Sequence, residues 1–338
     1  LQVPNRAKTG TQNYTQSFKV NRNGKVSLPL SADISAFASA ITVNYRKTSI
    51  KRLTIENLSL MEGAWNNQRL FRVERCNVNI DNLTLLFTGG AIDNVCEIIS
   101  VIDSSDVTVN GYITTGRLIV GGGEGSYSLA INGGADIRVN GMNALEGWGC
   151  FGCNDLNGLY VNDSTINRVD CHSSGHNIFV DNCDIHQFGV VYGWGGGLLS
   201  VKNSRFFGCW PVSSRSDFGG TFFGAIIVDG IEITRNDSAG LFVVDLGTHP
   251  LGASTPVQAP ASIEVSGVKR LGPASVDNGE IIPVRVKVLD ASSVVYAPKR
   301  ISVKDVAGMH DRWRFGLRID MLNMQGSLPS LVTKVIAD

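Results

Sequence analysis

Three residues with cationic, acidic and basic side chains alternate along one short segment of the chain. Arg168, Asp170 and His172 are separated by Val169 and Cys171. Successive side chains of a β-strand point to opposite faces, so a strand here would turn the two apolar residues inward and the three polar residues outward. An outward carboxylate beside an imidazole and a guanidinium can act as a base or nucleophile, or help to bind an anion. We therefore predict a candidate active site on this segment.

Further site residues are predicted from the copies of a repeat on either side of this segment. Counting 22 residues back places Glu146 beside Arg168, and the same offset places Trp148 beside Asp170. Counting 19 residues forward places Gln187 beside Arg168. Additional aromatic residues are predicted on the same face: Tyr192, Trp194 and Trp210. Flat aromatic rings with a polar tip suit stacking on sugars, so we predict that this face binds a carbohydrate.

Enzymes that hydrolyse a glycosidic bond usually use two carboxyl groups, one as acid and one as base or nucleophile. We predict that Asp170, next to Arg168, is the ionised member and that Glu146, near Trp148, is the proton donor. Strand geometry places the two carboxyl groups roughly 7–9 Å apart, which favours inversion. In this hypothesis Arg168 binds an anionic sugar or tunes Asp170, and His172 forms a hydrogen bond to the substrate.

Other interpretations of the same residues stay open. Arg168 and Asp170 would also form an ordinary surface ion pair. Asp170, His172 and His176 offer donors for a metal ion, although their spacing matches no known metal motif. The C-x-x-C pair at 150–153 fits small core residues as well as redox or metal chemistry. We predict neither a cofactor nor a metal.

A recurring tripeptide organises the chain into repeats that would position these residues. Each copy has a β-branched residue, a polar residue and then Asn, Asp or Gly, and successive copies are 25, 29, 30, 22, 19, 21, 27, 37 and 38 residues apart. The ten copies begin at Ile55, Ile80, Val109, Val139, Val161, Val180, Val201, Val228, Val265 and Val303. Short alternating strands flank each copy, and its last residue tolerates the left-handed backbone of a bend. A repeat of about 20 residues cannot bury its own apolar face, so the repeats are expected to stack.

We therefore predict an all-β fold, a right-handed parallel β-helix in which Asn side chains form ladders along the bends. The handedness follows other solenoids of this kind, and the alternative is a β-sandwich in which the motif recurs by coincidence. Residues 1–50 are predicted to be a lead-in or cap and residues 51–247 the β-helix. Residues 248–338 are predicted to form further coils, or a β cap and oligomerisation region.

Composition argues against several classes of protein. The 338 residues carry 30 Lys and Arg against 30 Asp and Glu, so the formal net charge is zero. A neutral chain does not favour binding to a nucleic-acid duplex or an anionic membrane. The sequence has no apolar stretch of about 18 residues that would cross a membrane. With 43% apolar residues, it can bury a large core.

The segment from Arg168 to Cys183, followed by Gly195–Val201, resembles bacteriophage tailspike and preneck-appendage proteins, which carry an Arg-x-Asp-x-His strand on a parallel β-helix. The resemblance covers roughly residues 50–240 and is strongest over about 139–206. It implies a homotrimeric appendage of the virion tail that acts outside the host cell. Its partner would be a bacterial surface polymer: capsule, O-antigen, exopolysaccharide or teichoic acid. The motif residues of this chain are Arg168, Asp170 and His172.

The leading hypothesis is a depolymerase that cleaves a bacterial surface polysaccharide by endo-glycosidic hydrolysis, with Asp170 as base or nucleophile and Glu146 as acid. One rival is a lyase, in which a cation neutralises a uronate while a base removes the C5 proton. A second rival is a teichoic-acid phosphodiesterase that depends on Arg168 and His172. The third is a non-catalytic spike that binds the host surface.

Overall fold

The computed structural model of the chain describes residues 2–5, 10–13, 51–62, 68–87, 96–115, 127–145, 147–215, 218, 220–234, 241–248, 257–271, 281–288, 295–296, 298–307, 317–321 and 336–337. Within these ranges the secondary structure is all β, and no α-helix is present. The all-β fold predicted from the period-2 alternation of the sequence is therefore confirmed.

The strands up to the candidate site are β1 Gln2–Asn5, β2 Gly10–Asn13, β3 Leu53–Glu62, β4 Gln68–Val73, β5 Val78–Phe87, β6 Cys96–Asn110, β7 Ile113–Thr115, β8 Tyr127–Asn140, β9 Asn143–Ala144, β10 Gly149–Asn162 and β11 Thr165–Asp181. The strands that follow are β12 Asp184–Tyr192, β13 Trp194–Lys202, β14 Arg205–Phe207, β15 Val212–Ser214, β16 Thr221–Asp229, β17 Glu232–Thr234, β18 Leu241–Thr248, β19 Val257–Gln258, β20 Ser262–Leu271, β21 Ile281–Val288, β22 Val295–Tyr296, β23 Arg300–Val306, β24 Leu317–Met321 and β25 Ile336–Ala337.

Strands from successive repeats pair in parallel. Along one side, β11 pairs with β10 over most of its length; along the other, it pairs with β12 through its first half and with β13 through its second. The first residues of all ten tripeptides form one continuous column of paired residues: Ile55, Ile80, Val109, Val139, Val161, Val180, Val201, Val228, Val265 and Val303. The predicted stacking of the tripeptides is confirmed.

The third residue of each tripeptide turns the chain. All ten of these residues have a positive φ, from 47° at Asn203 to 63° at Gly111. Asn and Asp tolerate this left-handed conformation, and glycine adopts it without strain. Side-chain amides link neighbouring bends: Asn140 Nδ2 donates to Asn110 Oδ1 at 2.8 Å, and Asn162 Nδ2 donates to Asn140 Oδ1 at 2.9 Å. The predicted Asn ladder is therefore present.

The column of β-branched residues faces a continuous hydrophobic core. Its members from Ile80 to Val265 are at most 1% exposed. Burying a side chain of this size stabilises the fold by roughly 1.5–3 kcal/mol. Because the inward residues alternate with outward ones, the same burial fixes which side chains of each strand face away from the core.

Parallel pairing continues beyond residue 247. Strand β18 pairs with β21, which in turn pairs with β24. In the same way, β20 pairs with β23, which in turn pairs with β25. The wide spacings of 37 and 38 residues therefore come from longer excursions between strands of the same sheet. Within the predicted lead-in, β1 and β2 form an antiparallel pair. The predicted region boundaries at residues 50 and 247 stay predictions.

Candidate active site

Strand β11 presents the candidate site residues on its outer side. Val169 and Cys171 are fully buried in the hydrophobic core. Asp170 lies between them and points to the opposite face, as the alternation of a strand requires. Its neighbours on the adjoining strands are Gly152 of β10 and Val191 of β12.

Three positively charged or polar groups converge on one oxygen of Asp170. Its Oδ2 is 2.5 Å from Arg168 Nη2, 2.8 Å from Arg215 Nη1 and 3.1 Å from His172 Nε2. The Asp170 side chain is 0% exposed, although its strand face points away from the core. Its Oδ1 is also buried and has no hydrogen-bond partner among the described residues. Within the described part of the chain, two guanidinium groups face this one carboxylate, a formal surplus of one positive charge.

His172 and Tyr127 are the more accessible polar members of this cluster. His172 Nε2 lies 3.1 Å from Asp170 Oδ2 and 3.1 Å from the Tyr127 hydroxyl, and the His172 side chain is 15% exposed. Because a carboxylate oxygen only accepts hydrogen bonds, we place a hydrogen on Nε2, which leaves the lone pair of the neutral ring on Nδ1. Burial raises the pKa of Tyr127, and the charge of Asp170 raises it further, so the phenol keeps its proton at neutral pH.

Aromatic rings hold both guanidinium groups and the imidazole in place. Arg168 Cζ lies 5.1 Å from the ring centres of both Trp148 and Phe188. On the other side of the cluster, Arg215 Cζ lies 4.7 Å from the Phe218 ring, which also stacks on His172 at 4.8 Å with an interplanar angle of 11°. Cations over aromatic faces are stabilised by the ring quadrupole. The arrangement fixes the direction in which the cations point.

Gly193 allows the chain to pass directly beside His172. A Cβ atom on this glycine would lie 2.0 Å from the carbonyl oxygen of His172 and 2.3 Å from Cβ of Phe218. Neither distance is sterically possible, so any larger residue would displace the backbone that carries the imidazole. We define the Asp170 cluster as Tyr127, Arg168, Asp170, His172, Arg215 and Phe218.

The predicted register between neighbouring strands is wrong near the site. Asp170 pairs with Gly152, an offset of 18 residues, where the sequence suggested an offset of 22 and Trp148. The offset is still 22 where Ala144 pairs with Ile166, but it is 18 where Phe151 pairs with Val169. The chain takes four more residues between the first two positions than between their partners, and this local difference cannot be counted from the distance between tripeptides. Trp148 instead contacts Arg168 through its ring. The proposed acid Glu146 lies outside the described residues.

The predicted aromatic face is also corrected in part. Tyr192 is 1% exposed and belongs to the hydrophobic core, where its ring packs 5.0 Å from Phe222. It points inward because it follows Val190 by two residues on β12, and Val190 faces the core as well. A residue so deeply buried does not line a surface for sugars.

The remaining predicted binding residues lie at different depths. Trp194 is 8% exposed and packs edge to face on His176 at 6.0 Å, whereas Trp210 is half-buried. Gln187 is exposed. His176 is fully buried, and burial lowers its pKa to about 3. The described residues contain no group of three or more His, Cys, Asp or Glu side chains placed to hold a metal ion.

Tyr127, Arg215, Phe188 and Phe218 were missed by sequence reasoning. Tyr127 and Arg215 are each 45 residues from their partner in the cluster, and each reaches it over one intervening strand. Tyr127 could have been identified if the register between β8 and β10 had been known, because it is the first residue of β8 and pairs with Gly149. No sequence signal identifies Arg215, because it follows a three-residue strand and reaches back.

No protein-family model matches the chain, and no curated protein does so either. Among the described residues, no helix is long and apolar enough to cross a membrane.

Proposed function

We propose that the parallel strands wind as a right-handed β-helix. The continuous column of ten tripeptides supports this proposal, since each repeat adds one copy directly beside the last. Connections between parallel strands of one sheet are right-handed in about 98% of cases, which supports the handedness. The fold then serves as a rigid support on which side chains from several repeats form one site.

We further propose that the chain binds an acidic polysaccharide at the Asp170 cluster and cleaves it by β-elimination. The observation that carries this proposal is the burial of Asp170, whose Oδ2 is shared by two guanidinium groups and His172. A carboxylate with 0% exposure is poorly placed to attack a sugar or activate a water. Its position fits a group that holds the cations and the imidazole in place.

The accessible groups of the cluster match the needs of elimination. The net positive charge attracts and partly neutralises the carboxylate of a uronate, which makes its C5 proton more acidic. Nδ1 of His172 removes this proton, the C4–C5 double bond forms, and the bond from C4 to the bridging oxygen breaks. The imidazolium then returns the proton to the leaving oxygen. Tyr127 is a positioning residue that contacts Nε2 of the same ring.

Phosphodiester cleavage is the second candidate function. Arg168 and Arg215 form a pair of planar cations of the kind that binds phosphate, and His172 beside them can transfer protons. Cleavage of a teichoic acid would therefore use the same residues. The identification of the polymer as bacterial, and of the chain as a trimeric virion appendage, rests on the resemblance to tailspikes and stays a proposal.

The products of digestion distinguish these reactions. We would incubate the protein with polygalacturonate, alginate, hyaluronate, teichoic acid, dextran, and capsule and lipopolysaccharide from candidate hosts, and size the products. Elimination gives shorter chains with the ultraviolet absorbance of an unsaturated uronate. Hydrolysis gives new reducing ends without this absorbance, and phosphodiester cleavage gives phosphomonoesters; either result would overturn elimination. If the protein shortens none of these polymers, the enzyme proposal fails.

Variants of the two accessible groups test the assigned roles. We expect His172→Gln to lower kcat by about 10²–10⁴-fold, the usual contribution of a general base. Tyr127→Phe should lower kcat less and leave KM nearly unchanged, because the phenol orients the imidazole without holding the substrate. The matched control is Tyr160→Phe, whose ring stacks on Phe179 near the C-terminal ends of β10 and β11. Equal activity of wild type and His172→Gln would refute the mechanism.

A further inference from the structure

A second cluster, which also combines one carboxylate, two cations and aromatic rings, lies on the same outer face. Asp245 accepts hydrogen bonds from Arg285 Nε at 2.7 Å and from Arg285 Nη2 at 2.6 Å. Lys287 Nζ is 3.9 Å from Asp245 Oδ2. As at Asp170, one carboxylate faces two cations among the side chains that the structure describes.

The two clusters belong to one column of paired residues. Asp170 pairs with Val191, Val191 with Ser213, and Ser213 with Asp245. Each step is an in-register parallel pair, so these residues share one face of the sheet. Three strand spacings of about 4.8 Å separate the two carboxylates by roughly 14 Å.

Aromatic rings accompany the cations of the second cluster as well. Arg285 Cζ lies 3.5 Å from the Phe242 ring and 5.5 Å from the Trp210 ring. Lys287 Nζ lies 5.9 Å from the same Trp210 ring. The Arg285 side chain is 9% exposed, whereas that of Lys287 is 28% exposed. The bidentate Arg285–Asp245 pair is therefore structural, and solvent reaches the cluster mainly at Lys287 and the half-buried Trp210.

We propose that Lys287 and Trp210 form a second subsite for an acidic sugar. Lys287 would pair with the carboxylate of the sugar, and the Trp210 ring would stack on its apolar face. The polymer would then run along the column, across the strands, with acidic units roughly 14 Å apart contacting both clusters. This inference rests on the proposed function, because it assumes an acidic polymer at the Asp170 cluster.

The test compares binding and cleavage by wild type, Lys287→Gln and Lys287→Arg. Affinity gels that contain polygalacturonate, alginate, hyaluronate or dextran report binding without any need for cleavage. We expect Lys287→Gln to weaken binding to the acidic polymer about tenfold, and to raise KM by a similar factor with little change in kcat. Lys287→Arg should restore most of the affinity. The matched control is Lys304→Gln, a cation that is 78% exposed at a bend outside the column.

The outcomes separate the second subsite from the proposed function. If wild type binds and cleaves an acidic polymer and Lys287→Gln is unchanged in both affinity and KM, the subsite is refuted and the function stands. If Lys287→Gln loses affinity but wild type yields no products, the subsite stands and the cleavage proposal fails. If wild type binds no acidic polymer, both the second subsite and the proposed function are refuted. Salt should weaken wild-type binding more steeply than binding by Lys287→Gln, since the lost contact is electrostatic.

Discussion

Neutralising Asp170 should destabilise the fold, because this carboxylate is the counter-charge of two guanidinium groups. The Arg168 side chain is only 6% exposed and that of Arg215 is 17% exposed. In Asp170→Asn both cations would remain, held by their aromatic neighbours and without the negative charge between them. Removing one partner of a buried ion pair costs roughly 3–5 kcal/mol, since the other partner stays buried without compensation. We expect a loss of stability in this range.

A double-mutant cycle measures how much of this loss of stability comes from Arg215 when it no longer has the charge of Asp170 beside it. Unfolding in urea would be followed by circular dichroism for wild type, Asp170→Asn, Arg215→Gln and the double variant. Removing Arg215 from the Asp170→Asn protein also removes one of the two cations that lost this counter-charge. The double variant should therefore lose less stability than the sum of the single variants, with a coupling of about 0.5–3 kcal/mol.

The control is a more exposed ion pair between an arginine and an aspartate. Arg205 forms a bidentate pair with Asp184, and their side chains are 56% and 24% exposed. Because water solvates these charges, Asp184→Asn should cost much less than Asp170→Asn. If Asp170→Asn unfolds at the same urea concentration as wild type, or if the single effects simply add, the proposed role of Asp170 as a shared counter-charge is refuted.

Three further changes test other parts of the structure. Gly193→Ala should lower polymer cleavage at least tenfold while the protein stays folded, since the added Cβ displaces the carbonyl of His172. Asn140→Ala should lower the free energy of unfolding in urea by about 2 kcal/mol, because two ladder hydrogen bonds of about 1 kcal/mol each are lost. Burial lowers the pKa of His176 to about 3, so below pH 6.5 the unfolded chain takes up a proton that the folded chain does not. Stability should therefore fall towards low pH by up to about 1.4 kcal/mol per pH unit between pH 6.5 and 3, and His176→Gln should flatten this slope.

Each of these changes has an internal control. Gly247→Ala should have little effect, since its added Cβ would lie 3.8 Å from Ser214 Oγ, an ordinary van der Waals contact. Asn143 is exposed at the start of β9, and its replacement by Ala should leave stability unchanged. Unchanged cleavage by Gly193→Ala, a wild-type urea midpoint for Asn140→Ala, or an identical pH slope for His176→Gln would contradict the respective argument.

The sequence predicts the repeat well because its signal is local. Each tripeptide carries both the buried β-branched residue and the residue that tolerates a positive φ, so stacking and bend can be inferred from the same three letters. The alternation that turns Asp170 outward is equally local, since Val169 and Cys171 flank it on a strand.

The site itself depends on register, which is not local. The pairing of β11 slips by one residue at Cys153 and Asn154 towards β10, and by two residues between Ile166 and Arg168 towards β12. Each slip changes which side chains become neighbours without altering the tripeptides. Arg215 could not be found from the sequence for a related reason, as it reaches Asp170 from beyond the adjoining strand.

The amide ladder also bears on how such a chain can diversify. Side-chain hydrogen bonds fix the bends to one another. The segments between successive bends, here called arcs, differ in length, since the tripeptides are from 19 to more than 30 residues apart. Inserting or deleting a residue within one arc would slide a short stretch of strand past its neighbours and leave the scaffold intact. New combinations of acids, bases and rings could thus arise in a single mutational event, with little penalty for folding.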